Sequence, residues 1–136
     1  MNEEKGTVLV VDDEELVREV EGTLLQRIGY NTLMASNSRE ACQLFKDKYK
    51  QIDLVILDMI MPDENGATTY KRLKRINPDV KVLIATGYMK DVNVDEILDD
   101  IPNQIIMKPF KLGELTNKID TILSFGQTLS QGARPQ

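Results

Sequence analysis

Leu54 to Leu57 form an unbroken apolar run that ends on an acid, Asp58. A run without polar alternation suits a strand buried on both faces. Pro62 and the Asp63-Glu64-Asn65-Gly66 cluster then mark a loop. One carboxylate therefore stands at the carboxyl end of a buried strand. In an open parallel α/β sheet, that edge is where sites are built.

The rest of the chain repeats the same pattern. Thr7 to Val11 reads as strand one and ends on Asp12-Asp13. Residues 14–28 read as a helix with Val17, Val20, Leu24 and Ile28 inward, stopped by Gly29. Asn31 to Ala35 is a weak second strand, and Asn37 or Ser38 can cap the helix that follows. Ala41, Leu44, Phe45 and Tyr49 give that helix its apolar side. A third helix runs from the Pro62–Gly66 loop to about Ile76. Its inner stripe is Tyr70, Leu73 and Ile76, with Lys71, Arg72, Lys74 and Arg75 outside. Asn77-Pro78-Asp79 breaks it. Val80 to Ala85 is strand four, followed by Thr86-Gly87. Residues 91–99 predict an acidic fourth helix with Val94, Ile97 and Leu98 inward. Gln104 to Met107 is strand five, followed by Lys108-Pro109-Phe110. Leu112, Leu115, Ile119, Ile122 and Leu123 define the last helix. Residues 126–136 lack core periodicity and read as a disordered tail or linker. Strand and helix thus alternate five times, which predicts one α/β domain over residues 1–125. Its parallel sheet is doubly wound, with five helices on its two faces.

Composition excludes several chemistries. The chain has no histidine, so it carries neither a Ser-His-Asp nor a Cys-His group, no His-ligated metal and no phosphohistidine of its own. Cys42 is the single cysteine and sits at core-facing helical spacing, which reads as a small buried hydrophobe. A net charge of −5 gives no basic footprint for direct nucleic-acid binding. No apolar run approaches the roughly 18 residues of a membrane span. The polar start, Met1-Asn2-Glu3-Glu4-Lys5, is unlike a signal peptide. The expectation is a cytoplasmic protein with no membrane insertion.

Four features follow strands directly: Asp12-Asp13, Asp58, Thr86 and Lys108. In a parallel sheet all strand carboxyl ends share one edge, so these residues should converge. Each has an ordinary reading. Asp13 could cap the first helix, Asp12 could be a solvated loop acid, and Asp58 and Thr86 could be turn residues. Lys108 before Pro109 means little alone. As a set they are harder to explain away. Crowded carboxylates repel at roughly 4 kcal/mol per pair at 4 Å for an effective dielectric near 20. A hard divalent cation with oxygen ligands offsets this, and Mg²⁺ is the natural choice. Acid, Mg²⁺, lysine and hydroxyl together suit a phosphoryl group. An Asp carboxylate can itself be the nucleophile.

At this point the chain resembles the receiver domain of bacterial two-component response regulators. The resemblance is carried by Val-Leu-Val-Val-Asp-Asp-Glu at 8–14, Asp-Met-Ile-Met-Pro-Asp-Glu-Asn-Gly at 58–66, Ala-Thr-Gly-Tyr at 85–88 and Lys-Pro-Phe at 108–110. It covers residue 6 to about 124. It implies a flavodoxin-like sheet of order 2-1-3-4-5. It implies Asp58 as phosphoacceptor, with Asp12, Asp13, Asp58 and the backbone carbonyl of Ile60 holding Mg²⁺. Thr86 would bond the phosphoryl oxygen and Lys108 would pair with the phosphate, preceding a cis peptide to Pro109. The implied partners are a histidine kinase or histidine phosphotransfer protein as donor and a downstream effector or output domain, with a phosphorylation-dependent dimer as a further expectation. One position departs from the pattern. Many receivers carry an aromatic residue three before the lysine, and here it is Ile105. Tyr88 is a candidate to take that part in passing the signal to the face formed by the fourth helix, strand five and the last helix. Ala-Thr-Gly-Tyr is also similar to the segment in receivers fused to hybrid sensor kinases.

Three other classes fit the sequence less well. A haloacid-dehalogenase-type phosphatase usually shows Asp-x-Asp after its first strand, and Asp12-Asp13-Glu14 lacks that spacing. A pseudo-receiver that binds without phosphorylation does not need the full acid, Thr and Lys set. An FMN-binding flavodoxin-like protein needs a hydroxyl-rich phosphate loop after strand one, which is missing.

Overall fold

The computed structural model describes residues 5–59, 61, 63–87 and 104–132. Five strands, β1 (Gly6–Val11), β2 (Tyr30–Ala35), β3 (Leu54–Asp58), β4 (Val82–Thr86) and β5 (Ile105–Met107), form one sheet. Every pairing is parallel and the order is β2-β1-β3-β4-β5. Three helices lie between strands: α1 (Glu15–Arg27), α2 (Ser38–Lys48) and α3 (Gly66–Ile76). A last helix spans Leu112–Gly132. The helix expected at 91–99 lies outside the described residues, so four of the five expected helices are described.

The sheet is buried on both faces because its side chains alternate between two cores. Leu9, Val11, Val55, Leu57, Val82 and Ile84 pack with Ala41 and Phe45 of α2 and Ala67, Tyr70 and Leu73 of α3. Val8, Val10, Leu54, Ile56, Leu83 and Ile106 pack with Leu25 of α1 and Leu115, Ile119 and Ile122 of the last helix. Period-two alternation in the strands and near-four periodicity in the helices meet at each face. The result is the doubly wound arrangement read from the sequence.

Several local expectations need correction. In α1, Val20 is 59% exposed and Leu16 75% exposed, while Glu21, Gly22 and Leu25 are buried. Val17, Leu24 and Ile28 keep partly buried places, Leu24 and Ile28 against the core, so Val20 alone leaves the expected stripe, and the acid Glu21 occupies an inward position. Asp13 is not the cap of α1, since Glu14 holds the N-cap position without a side-chain cap bond. Its N–H instead takes Asp12 Oδ1 as acceptor at 2.9 Å. Asn37, not Ser38, caps α2 by accepting from Glu40 N–H. Cys42 is only half-buried, against the α2–α3 core. The last helix continues through Gly132, so residues 126–132 are helical where an unstructured tail was expected.

Candidate functional site

The strand order reverses direction between β1 and β3, the switch point outside whose carboxyl ends open α/β sheets place their sites. Val11 pairs in register with Leu57, so the acids that follow these strands emerge side by side. Asp12, Asp13 and Asp58 each offer a carboxylate oxygen, and these atoms lie within 4.8 Å of one another. Asp12 and Asp58 are 1% and 8% exposed, whereas Asp13 faces solvent. Such a cluster, dry on one side and wet on the other, suits a hard divalent ion that keeps part of its water shell.

Lys108 reaches this cluster from the end of β5. Its Nζ lies 2.6 Å from Asp12 Oδ2 and 3.4 Å from Asp58 Oδ1. Its backbone N–H donates to the Thr86 carbonyl at 2.9 Å, and the Lys108–Pro109 peptide is cis. Burial favours the neutral amine, but Asp12 and Asp58 outweigh it and raise the lysine pKa above its ordinary value. The ammonium is therefore a fixed positive charge. Thr86 ends β4 and is buried, with Asp58 registered opposite the preceding Ala85. Asp12, Asp13, Asp58, Thr86 and Lys108 thus share one sheet edge. Ile60 and Tyr88 lie outside the described residues. Ile105 is half-buried and packs against the α2–α3 core.

The loop after Asp58 is tied down by groups that sequence reading passed over. Gly66 N–H donates to the Met59 carbonyl at 2.8 Å and opens α3 directly beneath the acid. Asn65 caps α3 through Thr68 N–H at 2.9 Å. Asp63 accepts from the backbone N–H groups of Ser38 and Arg39, both at 3.1 Å, and so caps α2 from another segment. Desolvation opposes ionisation of Asp63, but those bonds prevail and hold its carboxyl below the usual range. Glu64 accepts from Ser38 Oγ at 2.6 Å and pairs with Arg72 at 2.9 Å. A polar cluster at 63–66 signalled a loop, but nothing local signalled its partners on α2.

Glu21 was also missed. It is 2% exposed, and its Oε2 has no hydrogen-bond partner. Burial pushes its pKa up to about 8, against the pull of Lys108. An acid flanked by charged and apolar residues on an amphipathic helix carries no local signal of burial.

A doubly wound 2-1-3-4-5 sheet with an acid cluster, a hydroxyl and a lysine on its carboxyl edge defines a class of phosphoryl-handling α/β domains. Residues 8–120 match the response regulator receiver domain, and the chain belongs to that family. It is 32% identical over 133 residues to the probable C4-dicarboxylate response regulator DctR of Priestia megaterium, covering 96% of this chain and 58% of the relative. It is 31% identical over 118 residues to the sensor kinase CckA of Brucella abortus (strain 2308), covering 87% of this chain and 12% of that one. The chain therefore spans less than two thirds of either relative, 58% of one and 12% of the other. Among solved structures, a response regulator receiver domain protein from Clostridium thermocellum superposes with a TM-score of 0.84 at 29% identity, covering 91% and 98% of the two chains. The response regulator TrrA of Thermotoga maritima, in complex with Mg(2+)-BeF, superposes at 0.72 with 30% identity, covering 87% and 99%. Among the described residues, no helix is long and apolar enough to cross a membrane.

Proposed function

We propose that this chain is a phosphorylation switch in which Asp58 is the phosphoacceptor. The observation that carries the reading is the meeting of three carboxylates within 4.8 Å, two of which, Asp12 and Asp58, are bridged by Lys108. A Mg²⁺ ion held by Asp12, Asp13, Asp58 and the Ile60 carbonyl would supply positive charge to the phosphoryl oxygens. The donor set fits that ion, and the Mg(2+)-BeF complex of TrrA supports the choice.

An Asp58 oxygen attacks the phosphorus of a phosphohistidine on a kinase or phosphotransfer protein. A P–O bond forms, the P–N bond breaks, and the imidazole leaves. Lys108 neutralises the transferred group and the Thr86 hydroxyl donates to one of its oxygens. Burial of Asp12 and Thr86 keeps this neighbourhood poor in water and strengthens each contact. The added charge then shifts a two-state equilibrium at the surface around β5 and the last helix, to which an effector, an output domain or a second copy responds. Likeness both to response regulators and to a sensor kinase supports a receiver that works beside a larger partner or within a longer chain.

Intact-mass spectrometry with Mg²⁺ and acetyl phosphate tests this. The expected result is one added phosphoryl group, absent in Asp58→Asn. Labelling retained in that variant refutes the assignment. No labelling of the wild type, with Mg²⁺ bound, makes the chain a pseudo-receiver.

A further inference from the structure

The chain between Asp58 and α3 is fastened at two places, and the fastenings are continuous. At one, the Gly66 N–H donates to the Met59 carbonyl at 2.8 Å. A Cβ on Gly66 would meet the Asp58 carbonyl at 2.8 Å and Met59 Cα at 2.7 Å. The first residue of α3 therefore lies directly against the Asp58–Met59 backbone. At the other, Asp63 uses both carboxylate oxygens. Oδ1 accepts from the Ser38 N–H and Oδ2 from the Arg39 N–H, each at 3.1 Å. Both donors belong to the first turn of α2, where backbone N–H groups have no acceptor within their own helix.

Only Glu64 and Asn65 separate Asp63 from Gly66, and both are bonded. Glu64 accepts from Ser38 Oγ at 2.6 Å and pairs with Arg72 at 2.9 Å. Asn65 accepts from the Thr68 N–H at 2.9 Å. A short run of held residues thus connects the start of α2 to the backbone that carries Asp58. Asp63 itself is exposed and fills no part of the core. An exposed carboxylate with both oxygens committed to another segment fixes geometry and buries little apolar area.

We propose that Asp63 is a positioning residue for the phosphoacceptor: by capping α2 from the loop, it sets the start of α3 against the Asp58–Met59 backbone and so aims the Asp58 carboxylate. This rests on the reading of Asp58 as the phosphoacceptor. A nucleophile misplaced by about 1 Å can lose on the order of a hundredfold in rate. Loosening one of the two fastenings should cost less than that.

The test is the rate of acetyl phosphate labelling of the full chain at saturating Mg²⁺, followed by intact mass over a range of acetyl phosphate concentrations. Asp63→Ala should lower the maximal rate about fivefold and leave the half-saturating acetyl phosphate concentration unchanged, because Asp58 is misaimed while the groups that receive the donor are intact. Asp63→Asn keeps one acceptor oxygen and should recover part of the rate. Urea midpoints taken alongside show that each variant is folded under the labelling conditions. A maximal rate equal to wild type in Asp63→Ala overturns the proposal, since a purely structural cap would lower only the midpoint. A rise in the half-saturating concentration at unchanged maximal rate also overturns it, by placing Asp63 in donor binding. So does an Asn variant as slow as the Ala variant, which would make the charge and not the bonds responsible. If Asp63→Ala does not fold, Asp63→Asn against wild type decides, with a smaller fall in maximal rate expected and equality overturning the proposal. A wild type that takes no label overturns the phosphoacceptor reading, and this proposal with it.

Discussion

Lys108 Nζ donates to Asp12 Oδ2 at 2.6 Å across 96 positions of sequence. Asp12 is 1% exposed, and this charged bond, with the Glu14 N–H donated to Oδ1 at 2.9 Å, offsets its burial. Lys108→Ala should therefore destabilise the Mg²⁺-free protein. Removing one partner of a buried pair costs roughly 3–5 kcal/mol, and the partly exposed lysine puts this case at the lower end. Saturating Mg²⁺ should recover much of it, since a ligand at a hundred times its Kd contributes about 2.7 kcal/mol. Urea unfolding in EDTA and in Mg²⁺ measures both. An equal loss in the two conditions would show that Lys108 does not act through the acid cluster.

Gly66 marks where α3 approaches the phosphoacceptor loop most closely. A Cβ there would lie 2.7 Å from Met59 Cα and 2.8 Å from the Asp58 carbonyl. Backbone cannot rotate out of the way as a side-chain tip can. Gly66→Ala should cost about 1–3 kcal/mol, as overpacking usually does. It should also slow acetyl phosphate labelling on the order of tenfold, because it displaces the nucleophile. Denaturant midpoints and labelling rates check the two effects separately. A rate equal to wild type would mean that the loop absorbs the methyl without moving Asp58.

Leu16 and Val20 form an exposed apolar strip on α1 beside Pro109 and Phe110. Large apolar side chains beside a reactive site mark a protein contact. Changing both to Glu should leave acetyl phosphate labelling largely unchanged, since both side chains are exposed and neither is among the acids of the cluster. Transfer from a phosphohistidine protein that labels the wild type should slow by about tenfold or more. Equal slowing with acetyl phosphate would place the effect in the site itself.

The sequence made the strands, their order of occurrence and the convergence of Asp12, Asp13, Asp58, Thr86 and Lys108 legible. Apolar runs ending on polar residues encode that directly. The inward place of Glu21 on α1, next to an exposed Val20, was not legible. Val20 and Glu21 are neighbours, and a shift of one position in a helix turns the buried face by about 100°. Local spacing alone does not decide which of the two goes inside. The bonds from Asp63 and Glu64 to Ser38 were likewise hidden, because they join loop and helix across more than twenty positions. The ordinary alternative for Asp13, a cap on α1, does not hold, because Asp13 stands exposed in the acid cluster and Glu14 takes the cap position.

Glu21 makes an unusually clean pH experiment. Burial raises its pKa to about 8 in the folded protein, against an ordinary value of 4.5. Between these two values the folded state holds a proton that the unfolded state has lost. The sign follows from linkage: where the native state binds more protons, stability falls as pH rises. In Mg²⁺-free buffer the slope should reach about −1.4 kcal/mol per pH unit for one proton. The chain has no histidine, so no other side chain with an ordinary pKa titrates strongly in this window. Urea unfolding at pH 5.5 and 7.5 should show the wild type losing stability with pH, while Glu21→Gln stays nearly flat. Parallel behaviour of the two proteins would mean that Glu21 is hydrated or ionised in the folded state, and that its burial carries no proton.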